Sequence, residues 1–234
     1  MDFLGAYQLN NVKFLLDGFL ITLQVAFFSI IFSFVIGSFI GIFRYMKIPV
    51  VSPILLLIVE VIRNLPLLLI IFFTYFALPE IGVKLDVKVA AISALTIFEA
   101  AMLSEIIRSG LLSIEKGQIE AARSSGLTYL QTLQHIVLPQ ALRRMVPPIV
   151  SQFISLLKDT SLAVIIALPE LTHNAQIISG QNINYTIPTF IMIALMYFAV
   201  NYSLSIIARK LETKDIRSKK KTELSKLSSQ NLQA

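Results

Sequence analysis

The sequence predicts an all-α polytopic membrane protein with about five transmembrane helices, and three observations carry that prediction. Hydrophobic residues make up 56% of the 234 residues and charged residues only 15%, against roughly 25% charged in a soluble domain. That composition is wrong for a water-soluble globule, and equally wrong for a disordered chain, which needs low hydrophobicity and high net charge. Five apolar runs reach the ~20 residues that a helix needs to cross a bilayer. None of these runs alternates apolar with polar residues, as the strands of a membrane barrel would.

The runs follow in order. The first, about Gly18 to Phe43, carries no charge. It follows Asp2 and Lys13 rather than a basic leader and is too long for a cleavable signal, so residues 1–17 are expected as an extracytoplasmic N-terminal segment. Its Gly37 and Gly41 form a GxxxG step, which predicts close packing against another helix. The second run, about Val50 to Leu78, is interrupted by Glu60, Arg63 and Pro66, and a kink is expected at the proline. The third spans about Val87 to Ile107 with Glu99 and Glu105. The fourth spans about Ile149 to Leu168 with Lys158 and Asp159. The fifth, about Ile187 to Ala208, has no charge, so the permeation domain is expected over 18–208.

Orientation follows from the basic residues. Arg44 and Lys47 follow the first run; Arg108, Lys116, Arg123, Arg143 and Arg144 follow the third; a basic tail occupies 209–234. All fall on one side of a five-span topology, which puts the N-terminus outside and the C-terminus in the cytoplasm. The net charge of +6 therefore reads as a topology signal. A role with nucleic acid would need a folded basic domain, and the sequence has none.

Charges at membrane depth are costly and normally face a cavity or a partner. Glu60 and Arg63 share a helix face, with Arg63 expected about 20 Å into the bilayer at 1.5 Å per residue. Such a pair suits the ammonium and carboxylate of a zwitterionic amino acid, with an internal ion pair as the alternative. Lys158, Asp159, Thr160 and Ser161 are four polar residues in a row and predict a broken helix whose unwound backbone lines a substrate path or gate, with a structural network that holds the broken helix as the alternative. Glu99 is a candidate for recognising a cationic or amide side chain. Glu105 and Arg108, three apart, predict a salt bridge. With no cysteine and two histidines, neither a disulfide framework nor a thiolate zinc site can form, and little remains for a histidine metal centre.

The polar segment 113–144 separates the third and fourth runs. It predicts a helix over 116–125 ended by Gly126, then an amphipathic helix from Thr128 with Leu130, Leu133 and Val137 as its stripe, and a break at Pro139. Together these make a docking knob for a soluble partner.

Within that segment Glu120-Ala121-Ala122, Gly126 and Ile136-Val137-Leu138-Pro139 fill the pattern EAA, three residues, G, nine residues, IxLP. This resembles the signature of the membrane subunits of ABC importers. Four further stretches resemble the polar amino-acid uptake branch: Arg63-Asn64-Leu65-Pro66-Leu67-Leu68, Glu105-Ile106-Ile107-Arg108-Ser109-Gly110, Lys116-Gly117-Gln118, and Lys158-Asp159-Thr160-Ser161-Leu162. Asn64-Leu65 and Ser109 are mild departures from the branch pattern, and Glu99 is not typical of it.

The resemblance implies a type I ABC importer fold and a permease with no enzymatic activity of its own. Glu120, Ala121, Ala122, Gly126, Ile136, Leu138 and Pro139 would couple it to a dimer of ATPase subunits, which hold the ATP and Mg. A separate extracellular or periplasmic solute-binding protein would deliver glutamine, glutamate or a basic amino acid. A second permease copy or a homologue would complete the path in a bacterial cytoplasmic membrane. The chain has no GxxxxGK[ST] loop to cradle phosphates. Competing readings are a secondary transporter, a membrane-embedded enzyme, or an ABC permease for another small polar solute; the first two have no need of a docking knob.

Overall fold

The computed structural model describes residues 1–206, so the basic tail expected over 209–234 lies outside the described residues. A single turn, α1 (Phe3–Ala6), precedes α2 (Leu9–Tyr45), α3 (Val51–Asn64), α4 (Leu67–Phe72) and α5 (Val87–Leu112). Two short helices follow, α6 (Lys116–Ser124) and α7 (Tyr129–Thr132), then α8 (Leu138–Asp159) and α9 (Leu171–Gln181). The last span, α10, covers Ile183–Ile206. Among the described residues there is no strand.

Over most of its length α2 is inside-out relative to a helix of a soluble bundle. On α2 the buried face is made of small and polar residues, among them Gly18, Thr22, Ala26, Ser29, Ser33, Gly37 and Gly41. Its large apolar groups, such as Phe27, Phe32 and Phe39, are exposed. In lipid there is no hydrophobic gain in hiding a phenylalanine, so close approach of small residues decides which face packs. That approach is against α5: a Cβ at Gly37 would stand 2.8 Å from the Ala100 carbonyl oxygen, and one at Gly41 2.7 Å from that of Ser104. Ser29 Oγ donates to the Ile92 carbonyl, 63 residues on. Because Gly37 and Gly41 meet residues at the same offset, α2 and α5 run parallel. The chain between them must therefore return across the membrane, and α3 with α4 makes that return.

The return is not one kinked helix. At Leu65-Pro66 the backbone becomes extended, and the helices on either side meet at 103°. Proline disfavours helical backbone at the residue before it, and Leu65 adopts that extended conformation. After the break, Leu67 and Ile71 pack with Ala90, Ala91 and Ala94 of α5.

Two other expectations are corrected. Pro139 does not break the chain: Tyr129–Ile166 is one continuous helix, so the helix that carries the fourth apolar run starts well before Ile149. A π-turn at Leu133–Val137 immediately precedes the proline. The wider turn relieves the clash that the proline ring would make with the carbonyl four residues earlier. Likewise the polar run 158–161 is not unwound. The helix narrows at Thr160 to 3₁₀ geometry through Ile166, and Ala167 ends it in the left-handed region at φ +54°.

Candidate functional site

The segment between α5 and α8 is a braced helix-turn-helix. On α6, Ala122 is buried while Glu120, Ala121 and Arg123 are exposed. The helix ends in a Schellman motif: the Leu127 N–H donates to the Ala122 carbonyl (3.2 Å) and the Gly126 N–H to that of Arg123 (3.1 Å). Gly126 sits at φ +89°, where side-chain-bearing residues are strained. Thr128 and Gln131 then form a capping box that starts α7. Beneath, Ile114, Ile119, Leu133 and Val137 pack with Ile107, Leu111 and Met145. Gln140 Nε2 donates to Gln118 Oε1 (2.7 Å), and Arg144 donates to the Ser113 carbonyl. Of the remaining signature residues, Ile136 and Leu138 are half-buried and Pro139 is exposed. One face is thus fixed to the spans, and the other presents the Ala121 side chain and Glu120, whose carboxylate forms no ion pair among the described residues.

A charged layer lies where α2 and α5 end. Glu105 pairs with Arg108, as its spacing predicts, and also with Arg44 at 3.0 Å. Arg44 is only 7% exposed, although its place just after an uncharged run reads as a loop charge. An open cavity of about 420 Å³ separates these groups from Glu60 and Ser52 of α3. Glu60 and Arg63 do share a face and meet each other at 3.3 Å. Asn64 Nδ2 donates to the Glu60 carbonyl at 2.7 Å.

Deeper in the bundle Glu99 is 1% exposed. Gln152 Nε2 of α8 donates to Glu99 Oε2 at 3.1 Å, and Glu99 Oε1 has no partner among the described residues. The residues 158–161 do not gather into one cluster. Lys158 is exposed and Asp159 half-buried, while the Thr160 and Ser161 hydroxyls donate to the carbonyls of Leu157 and Lys158. Gln152 went unnoticed in the sequence, although it is an amide within the first half of a span, where a carboxylate on a neighbouring helix needs a donor.

The sequence also gave no hint of Glu170, which is fully buried. Its carboxylate caps α9, accepting from the N–H groups of Thr172 (3.0 Å) and His173 (2.7 Å). It also accepts from the Tyr197 hydroxyl of α10 (3.2 Å) and the Thr22 hydroxyl of α2 (3.4 Å). Burial pushes this carboxyl above its ordinary value, against the opposing pull of the four donors. The folded chain therefore holds the proton more tightly than the unfolded chain. The resulting stability is full below the unfolded carboxylate range and is lost as pH rises through the raised folded value. Thermal melts across that window are expected to fall with pH for the native chain and to lose this slope in Glu170→Gln; an equal slope in both would remove Glu170 as its source.

Residues 33–214 match the family described as "Binding-protein-dependent transport system inner membrane component". The chain belongs to that family. It is therefore a transmembrane permease subunit, not an enzyme, and the ATPase of such a system is a separate subunit. Among its relatives, the "Probable glutamine ABC transporter permease protein GlnP" of Bacillus subtilis (strain 168) is 71% identical over 216 residues, covering 92% of this chain and 99% of the relative. The "Glutamine transport system permease protein GlnP" of Escherichia coli (strain K12) is 34% identical, covering 86% and 92% respectively. The fold matches a solved structure titled "Crystal structure of an amino acid ABC transporter with histidines" with TM-score 0.84 at 30% identity, covering 92% of this chain and 99% of that one.

Proposed function

We propose that this permease carries a polar amino acid, glutamine first, into the cytoplasm, driven by a separate ATPase dimer and fed by a separate solute-binding protein. The observation that carries the reading is the 71% identity, over nearly the whole chain, to a probable glutamine ABC transporter permease. The exposed face of α6, with Glu120 and Ala121, docks on the ATPase, and Gly126 sets the turn that holds it. The N-terminus lies outside and the described end of α10 approaches the cytoplasm, as the positions of Arg44, Lys47, Lys116 and Arg123 favour. A second copy or a homologue closes the path.

Glu99 supports the substrate class. A buried acceptor oxygen without a donor suits a side-chain carboxamide or a cation and disfavours a second carboxylate. Asp159 and Thr160 follow on the same span as Gln152, and Glu60 with Arg63 lies toward the opposite entrance. The test is reconstitution with the partner ATPase and binding protein, scoring uptake of all twenty amino acids. Glutamine is expected to lead, and Glu99→Gln to lower uptake about tenfold, the ~1.4 kcal/mol of one charge-assisted hydrogen bond, with assembly retained. ATP-independent uptake would overturn the importer reading, and unchanged uptake in Glu99→Gln would take Glu99 out of the path.

A further inference from the structure

A second groove lies on the outer flank of the α2–α5 pair, away from the charged layer. It is an open cavity of about 430 Å³, with Phe28, Phe32 and Ile36 on one wall and Val89, Ile92 and Ser93 on the other. The α2 residues are spaced four apart and so form one row along the helix. One turn before Phe28 in that row stands Gln24, and its Oε1 accepts from Lys88 Nζ, immediately before Val89. A polar clasp therefore closes one end of an apolar slot. Phe28 and Phe32 stack at 6.3 Å and remain exposed along the slot.

The dimensions identify what fits. From Lys88 to Arg108, α5 rises about 30 Å, the thickness of a bilayer's hydrocarbon core. Lys88 thus stands at one headgroup level and the Arg44–Glu105–Arg108 layer at the other. From Gln24 to Ile36 the row is about 18 Å long, close to the depth of one leaflet. Lys88 forms no ion pair among the described residues. The Asp86 carboxylate beside it is engaged in capping α5 through the Lys88 N–H. An apolar slot running about 12 Å from Phe28 to Ile36, most of one leaflet's depth, with a cation at the headgroup end, matches a lipid chain below an anionic phosphate.

We propose that this groove is a binding site for one anionic phospholipid, its acyl chain along Phe28, Phe32 and Ile36 and its phosphate on Lys88. Lys88 would exchange its neutral partner, Gln24, for the phosphate oxygens. The site lies on a flank of the bundle opposite in level to the charged layer and does not depend on which solute is carried.

The test is retention of lipid by the permease purified with its ATPase from discs holding equal phosphatidylglycerol and phosphatidylcholine, counted by native mass spectrometry. The native chain is expected to keep phosphatidylglycerol, and Lys88→Gln to lose at least tenfold of that retention while keeping its melting temperature. Ser93→Phe, which fills the slot, is expected to exclude both lipids. Equal retention of phosphatidylglycerol by Lys88→Gln would overturn the proposal, as would equal retention of the two lipids by the native chain. A Ser93→Cys variant that crosslinks to a second permease copy would overturn it too, by making the groove an interface between copies.

Discussion

Gly41→Leu is expected to melt roughly 5–10 °C below the native chain, from about 2–3 kcal/mol of overpacking. The cause is backbone, not side chain. The first added carbon would stand 2.7 Å from the Ser104 carbonyl oxygen and 3.0 Å from the Ile107 Cβ, so no rotamer relieves it and α2 must move off α5. Gly37→Leu repeats the collision one turn away, where the Ala100 carbonyl oxygen lies 2.8 Å from the added carbon. The double variant is expected to yield no monodisperse protein in detergent. Val35→Leu, on the exposed side of the same helix, places the same leucine side chain away from α5 and is the control, expected to melt with the native chain. A native-like melt for Gly41→Leu would mean that the stripe of small residues does not set the α2–α5 distance.

The second large effect is expected at Gly126, and its origin is different. Nothing lies within 4 Å of a Cβ built there, so no collision opposes a substitution. The opposition is the φ of +89°, which costs a β-branched residue on the order of 1–3 kcal/mol. Gly126→Val should therefore fold and insert but rebuild the turn after α6, tilting Glu120 and Ala121 away from their present aim. In reconstituted vesicles that variant is expected to lose at least tenfold of its uptake while the partner ATPase still turns over. Gly126→Asn, whose short side chain tolerates left-handed backbone, is expected to retain most of the uptake. Equal uptake by all three chains would remove Gly126 from coupling, whereas equal loss by Val and Asn would point to the exposed surface rather than the turn.

The elements were legible where one physical cause dominated. Uncharged runs longer than ~20 residues have only one stable use in lipid, and α2, α5 and α10 lie where the runs are. The glycine step marked a helix contact, and Gly126 marked the end of α6 within a residue or two. Proline was the less dependable sign. Pro66 and Pro139 both suggested an interruption, yet one sits at a 103° break and the other inside a continuous helix. The difference lies in the neighbours, because a π-turn absorbs Pro139 and the backbone before Pro66 has gone extended. The polar contacts that depend on distant partners were not legible at all. Glu170 reads as a loop acid until Thr22, 148 residues earlier, and Tyr197 meet on it. Arg44 reads as a topology charge until Glu105 comes to it across the bundle.

The unbroken helix from Tyr129 to Ile166 has a mechanical consequence. It begins in the segment that carries Gly126 and passes Gln152, the donor to Glu99, about 35 Å farther along at 1.5 Å per residue. No loop lies between, but Pro147 and Pro148 sit inside the helix and each removes a backbone donor from its ladder, so the rod is weakened between its exposed end and Gln152. The π-turn at Leu133–Val137 is a second departure from the regular ladder, and it lies within the packed core, with Val137 buried in the same cluster as Ala141 and Met145. One helix thus joins the exposed segment that follows Gly126 to the donor of the buried Glu99 carboxylate.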